Sequence, residues 1–358
     1  MLNLSVPPKR ILVIHVARFG DTLLTSVAVR ALREAYPHAE IDFLGHPKRY
    51  DIVRGLPEFT HIGAISKKTA PFKGRCSQIL GRKPYDLAVV WGHDAAIHLY
   101  AQRVAKQLVV QQIKDEVTNQ SLRAAGHEAL RMPSDKEMPL ADWLLTLVER
   151  GLGFSTKNRR VAYAVLPGEK NWACEWLKHV FAGVQNPDAF PLVGLIIESF
   201  PTFKHRDWPI EHFVELCQGI TNAYPDARFV LLGSNLPKAK ITALKAVMGD
   251  RMAQAADRLS MRESGAIMNC LDLYIGIDTG PSHIAAGLGI PVVCLFHCAR
   301  RGPLVLSPVD PDTVSMIEHP CHESACSFDV SMADIRPATV LNAALSQLKK
   351  IEATSAKK

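Results

Sequence analysis

The chain has 358 residues, 47% hydrophobic and 22% charged, with a net charge of +7. That balance excludes a collagen-like, low-complexity or disordered chain, and the length suits two domains that can each bury a core. The opening MLNLSVPPKR has no long apolar stretch, and runs such as PLVGLII fall far short of the roughly 20 residues a spanning helix needs. A cytoplasmic protein without a leader or membrane span is therefore expected.

In chain order, ILVIHV (11–16) is a continuous apolar run, as a parallel strand covered on both faces requires. It leads through Ala17-Arg18-Phe19-Gly20-Asp21-Thr22 into a helix ending in AYP, and the segment 35–45 closes in a strand. HIGAIS (61–66) and DLAVVWG (86–92) read as further strands. Between them, Lys67, Lys68, Lys73, Arg75, Arg82 and Lys83 stand with no acidic residue. Residues 1–170 hold 25 Lys and Arg against 16 Asp and Glu, whereas the remainder holds 17 against 19. The basic stretch suits an anionic partner: a phosphorylated glycolipid, a membrane surface or nucleic acid.

Breakers in LPGEKN and QNPDAFP place a linker near 165–190. VGLIIES (193–199) then passes through FPTFKHRDWP into a helix from about Ile210. AYPDARFVLLG (223–233) repeats AYPHAEIDFLG (35–45) at six of eleven positions, 188 residues on. DLYIGID (272–278) and PVVCLF (291–296) are strands, and Pro337 to Ile351 reads as a closing helix followed by a disordered ATSAKK tail. Strands alternating with helices, in two similar halves, predict two doubly wound α/β domains with ligands at the carboxyl ends of their strands.

The residues just after those strands are the candidates. Asp21 stands where a carboxylate can take a proton from an acceptor hydroxyl, or where it only caps a helix. Lys204, His205 and Arg206 precede a helix start, a setting that favours a diphosphate. Asp278 ends an apolar strand, and a charge there must be paired or serve a ligand. Thr279, Gly280 and Ser282 bring small groups and N–H donors to the next helix, and His283 offers an imidazole. No G-x-G-x-x-G follows the first strand and no P-loop occurs, which argues against a dehydrogenase or a P-loop NTPase. Eight cysteines make no disulfide framework. Cys76, Cys174, Cys217 and Cys270 read as single thiols. Cys294, His297, Cys298, His319, Cys321, His322 and Cys326 form a cluster with C-x3-C and C-x4-C spacings. Zinc sites more usually show C-x2-C, so reduced thiols beside loop histidines are expected and no metal.

ILVIHVARFGDTLLTSVAVRALREAYPHAEIDFLG resembles the N-terminal signature of the ADP-heptose:lipopolysaccharide heptosyltransferases, glycosyltransferase family 9. KHRDWPIEHFVEL is similar to the family's basic-Trp-Pro segment, GIDTGPSHIAAGLGIPVVCLF to its donor-binding segment and IRPATVLNAALSQL to its closing helix. The resemblance implies a GT-B fold, two Rossmann-like domains facing across a cleft. Residues 1–170 would bind the acceptor and 171–335 the nucleotide sugar, with 336–358 a helix that can cross back to the first domain. It implies inverting, metal-independent transfer, without cofactor, from an ADP-heptose donor to an anionic lipopolysaccharide core. The enzyme would lie peripherally at the inner face of the inner membrane and bind no nucleic acid. Asp21 matches the family's base. Lys204 or Arg206 would grip the diphosphate with Thr202, while Asp278, Thr279, Gly280, Ser282 and His283 match the donor site. Arg18, Lys67, Lys68, Lys73 and Arg75 would meet the acceptor. A nucleotide-sugar epimerase and a non-catalytic sugar-nucleotide binder are the alternatives on this architecture.

Overall fold

The computed structural model describes residues 1–2, 4–134, 138–183, 189–299, 302–306, 312–321 and 325–355. The chain divides into two compact units, Met1–Ala164 and Val165–Lys358.

The first unit runs β1 (Arg10–His15), α1 (Phe19–Ala35), β2 (Glu40–Gly45), β3 (His61–Ala64), α2 (Ala70–Ile79), β4 (Tyr85–Trp91), α3 (Ala95–Val104), β5 (Ala105–Gln111), α4 (Glu116–Ala124), β6 (Glu128–Leu130) and α5 (Leu140–Leu152). Its six strands are parallel in the order β3-β2-β1-β4-β5-β6. Ile11 to Ile14 are wholly buried, because β1 is central and covered on both faces.

The second unit runs α6 (Pro167–Val180), β7 (Leu192–Ile196), α7 (Ile210–Ala223), β8 (Arg228–Leu232), α8 (Lys238–Met248), β9 (Met252–Gln254), α9 (Met261–Met268), β10 (Leu273–Ile277), α10 (Gly280–Leu288), β11 (Val292–Phe296), α11 (Gly302–Leu306), β12 (Val314–Glu318) and α12 (Pro337–Ser355). Its sheet, also parallel, is ordered β12-β11-β10-β7-β8-β9. Counted from each unit's first strand, both sheets have the order 3-2-1-4-5-6. The strand order therefore reverses between β1 and β4 in one unit and between β7 and β10 in the other, and crevices open at such switch points.

The sequence repeat is structural. Its two copies span the ends of α1 and α7 and the strands β2 and β8. At the helix ends, Tyr36 N–H donates to Leu32 O and Tyr224 N–H to Ile220 O, both at 2.8 Å.

Three expectations need correction. The segment 165–190, expected as a linker, is largely the helix α6. Pro167 suits a first helical turn, where no N–H is needed, and Glu169 accepts from Leu166 N–H at 2.9 Å. Residues 184–188 of that segment lie outside the described ones. The helix after β1 starts at Phe19 with Arg18 at its N-cap, so Asp21 lies inside the first turn and is not the cap. The closing helix extends through Ser355, into the stretch expected as disordered, with Thr354 Oγ1 donating to Lys350 O at 2.8 Å. Residues 356–358 lie outside the described ones. α12 packs on α7 and on the β10–β12 side of its own unit. Among the described residues no helix is long and apolar enough to cross a membrane.

Candidate active site

In the first unit, the switch point lies between the turns after β1 and β4. Asp21 is half-buried on α1, near the positive end of the helix dipole. Among the described residues its carboxylate makes no hydrogen bond or ion pair. Its backbone is held by a relay. His15 Nδ1 lies 2.7 Å from Thr25 Oγ1, and that hydroxyl donates to Asp21 O at 3.1 Å. The hydroxyl's one proton is thereby used, so His15 Nδ1 carries the hydrogen.

Burial pushes the His15 imidazole from 6.5 down to about 4. In this unit His15 stays neutral while the unfolded chain's histidine protonates. Its contribution to stability is whole above about pH 6.5 and is lost as the pH falls toward about 4. Urea unfolding should therefore show a loss of about 2 kcal/mol from this residue between about pH 7 and pH 5, and His15→Gln should flatten that slope. An unchanged slope in the variant would remove His15 from the account.

Two hollows open at the carboxyl ends of the first unit's strands. One, of about 330 Å³, is lined by Val16, His46, Lys67, Lys68, His93 and Asp94 among others. The other, of about 720 Å³, is lined by His15, His93, Gln111, Lys114, Arg131 and Trp143 among others. Asp21 belongs to the lining of neither. Gln111 fixes the turn between them, accepting from Gly92 N–H at 2.9 Å and approaching His93 Nε2 at 3.1 Å. Gly92 has φ +108°, which a side chain would strain. Of the basic candidates, Lys67 and Lys68 line the smaller hollow. Lys73 is engaged with Ala64 O at 2.6 Å, and Arg18 and Arg75 are exposed. His15, His46, His93, Gln111 and Arg131 were not singled out in the sequence. The histidines all sit at or just beyond strand ends, the position that marks a candidate in this kind of sheet.

In the second unit, the turns after β7 and β10 meet across the switch point. Pro201–Arg206 forms a 3-10 helix. Arg206 Nη1 lies 2.7 Å from Asp278 Oδ2 and donates to Asp278 O at 3.1 Å. The carboxylate contact is an ion pair by distance but not aligned as a hydrogen bond, and Oδ2 is wholly buried. The guanidinium also lies 4.4 Å over the Phe203 ring. Asp278 is 5% exposed, so the ion pair answers the requirement for a charge at the end of an apolar strand. Lys204 and Thr202 are exposed on the same 3-10 turn.

Other residues of these turns hold the backbone. Asp207 accepts from Ser199 N–H at 2.8 Å, closing the loop. Trp208 is buried, and its Nε1 donates to Ile335 O at 2.9 Å, tying the basic segment to the approach to α12. Burial raises the Glu198 carboxyl, while its Lys240 partner lowers it. Thr279 is the N-cap of α10, with Gly280 and Pro281 opening the helix and buried His283 in its first turn. Ser282 is 1% exposed, donates to Ile277 O at 2.8 Å and lies 3.0 Å from Tyr274 Oη. Its hydroxyl is committed to the interior, so it shapes this turn from behind.

The C-terminal cluster departs from its expected form. Cys298 and Cys326, expected as reduced thiols, are joined in a disulfide, because the loop after β12 returns to the end of β11 with Cα atoms 5.8 Å apart. Cys294 is no partner of Cys298. It is buried within β11, with Sγ 3.5 Å from Ser282 Oγ. His322 lies outside the described residues.

Residues 170–329, most of this second unit, match the family model described as glycosyltransferase family 9 (heptosyltransferase). Lipopolysaccharide heptosyltransferase 3 of Escherichia coli is 22% identical over 287 residues, 77% of this chain and 80% of the relative. The structure of a glycosyl transferase family 9 protein from Veillonella parvula is similar with a TM-score of 0.78 at 20% identity, covering 96% of this chain and 98% of that one. The E. coli ADP-heptose lipopolysaccharide heptosyltransferase II gives a TM-score of 0.72 at 19% identity, covering 96% and 99%.

Proposed function

We propose that this chain, a glycosyltransferase of family 9, transfers a heptose or related sugar from an ADP-sugar to a lipopolysaccharide core acceptor. Transfer inverts the anomeric carbon and uses no metal or other cofactor in the chemical step. The observation that carries the reading is the buried Arg206–Asp278 pair at the β7/β10 switch point, inside the residues that match the family.

In this reading the acceptor hydroxyl gives its proton to the Asp21 carboxylate as its oxygen bonds to the anomeric carbon. The bond from that carbon to the ADP oxygen breaks. The charge that develops on the diphosphate is met by Arg206 or Lys204, with Thr202, and by the amide N–H groups where Thr279 and Gly280 open α10. Asp278 holds Arg206 in position, and His283 serves the sugar or phosphate side of the turn. Arg18, Lys67, Lys68, Lys73 and Arg75 supply the positive field for an anionic, phosphorylated acceptor, and the same field supports peripheral contact with the membrane that carries it. ADP as the nucleotide rests on likeness to an enzyme named for ADP-heptose.

The test is transfer and donor hydrolysis with a panel of ADP- and UDP-sugars, using truncated lipopolysaccharides as acceptors. The expected result is turnover with ADP-heptose and a phosphorylated core acceptor. Failure of every nucleotide sugar to bind would overturn the reading.

A further inference from the structure

Outside the proposed transfer site, the loop after β12 brings a second chemical cluster together. Cys298, His297 and Cys326 place their ligand atoms within 4.8 Å of one another, as do Cys298, His319 and Cys321. Cys298 is common to both sets. A crosslink needs two sulfurs; this cluster adds a third, that of Cys321, which forms no disulfide, and two buried imidazoles.

The imidazoles are oriented for ligation. His297 Nε2 lies 3.0 Å from Val330 O and His319 Nε2 lies 2.9 Å from Ser331 O. A carbonyl oxygen only accepts, so both Nε2 atoms carry hydrogen and both Nδ1 atoms keep a lone pair. In His297 that lone pair accepts from Ala299 N–H at 3.1 Å, with Cys298 Sγ 3.8 Å away. The Asp334 carboxylate stands 3.6 Å behind His319 Nε2. A ring N–H held by a carbonyl or carboxylate on the far side is the usual support of a metal-bound histidine.

We propose that the reduced cluster is a tetrahedral site for a thiophilic divalent cation, zinc or ferrous iron. Its ligands are the thiolates of Cys298, Cys321 and Cys326 and the Nδ1 of His319. Three sulfurs and one imidazole complete a closed structural site. His319 is the assigned imidazole because both a carbonyl and a carboxylate back it. Its present Nδ1 contact, from Cys321 N–H at 3.0 Å, gives way to the cation. Starting from the disulfide, a thiol or phosphine reductant supplies two electrons, and two protons complete the Cys298 and Cys326 thiols. Three protons then leave as the three thiols coordinate. The bound cation fastens the loop after β12 to the end of β11. There His297 and Phe328 lie 5.0 and 4.9 Å from His205, in the basic 3-10 turn.

The test uses the full chain, purified with a phosphine reductant, loaded with zinc or ferrous iron and dialysed. Elemental analysis should find about one equivalent per chain, and cobalt substitution should give thiolate-to-cobalt charge-transfer bands with the visible spectrum of a tetrahedral ion. Cys321→Ser is the discriminating variant, because it leaves the Cys298–Cys326 crosslink intact. It should lower cation affinity by more than about tenfold, as should His319→Ala, whereas His297→Ala should lower it less. Less than about a tenth of an equivalent in the reduced wild type, without thiolate bands, overturns the site. A Cys321→Ser chain that keeps the full equivalent and the wild-type cobalt spectrum overturns the ligand set.

Discussion

Asp21→Asn is expected to lower the rate of sugar transfer by about 10²–10⁴-fold while leaving donor affinity unchanged. The substitution preserves size and helix position and removes the one group proposed to accept the hydroxyl proton. It should not unfold the first unit. Among the described residues the carboxylate makes no hydrogen bond or ion pair, and the relay from His15 through Thr25 ends on the Asp21 backbone, which survives the change. The loss should fall on kcat, with the donor's dissociation constant, measured by calorimetry, within error of wild type. Wild-type turnover in the variant would remove Asp21 as the base.

Arg206→Met should have the second large effect, and it should appear in both stability and binding. The Asp278 carboxylate, 5% exposed, would be left with a buried charge and no guanidinium. Breaking a buried pair from one side costs about 3–5 kcal/mol, which urea unfolding would read directly. Adding Asp278→Asn to Arg206→Met removes the stranded charge and should recover much of that loss, so the two changes should be strongly non-additive. Donor affinity behaves differently. The double variant still lacks the cation proposed to meet the diphosphate, so it should remain about ten- to a hundredfold weaker, the worth of one charged hydrogen bond. Recovery of stability without recovery of affinity separates the two roles of Arg206. If affinity returns with stability, Lys204 carries the diphosphate contact.

Local pattern carried a great deal of this protein. Continuous apolar runs announced β1, β4, β7, β10 and β11, because a central parallel strand is buried on both faces and cannot alternate. The repeated AYP segment marked the same helix-to-strand step in both units, because the turn chemistry there is set by adjacent residues. Asp278 was recognisable as a charge needing a partner from its place at the end of β10. The sequence alone therefore determined the α/β class, the twofold plan and the turns worth examining. What it left undecided were the facts that depend on strands distant in sequence. Arg206 and Asp278 meet because β7 and β10 are neighbours at the switch point, although 72 residues separate them. The C-terminal cysteines show the limit most clearly. Spacing along the chain pointed to reduced thiols, but β11 and β12 lie side by side and bring Cys298 to Cys321 and Cys326, while Cys294 stays inside its strand. Hydrogen-bonding preference and periodicity act over a few residues and can be read in order. Proximity between strand ends is created only when the sheet assembles, so the tertiary structure alone decided which side chains meet.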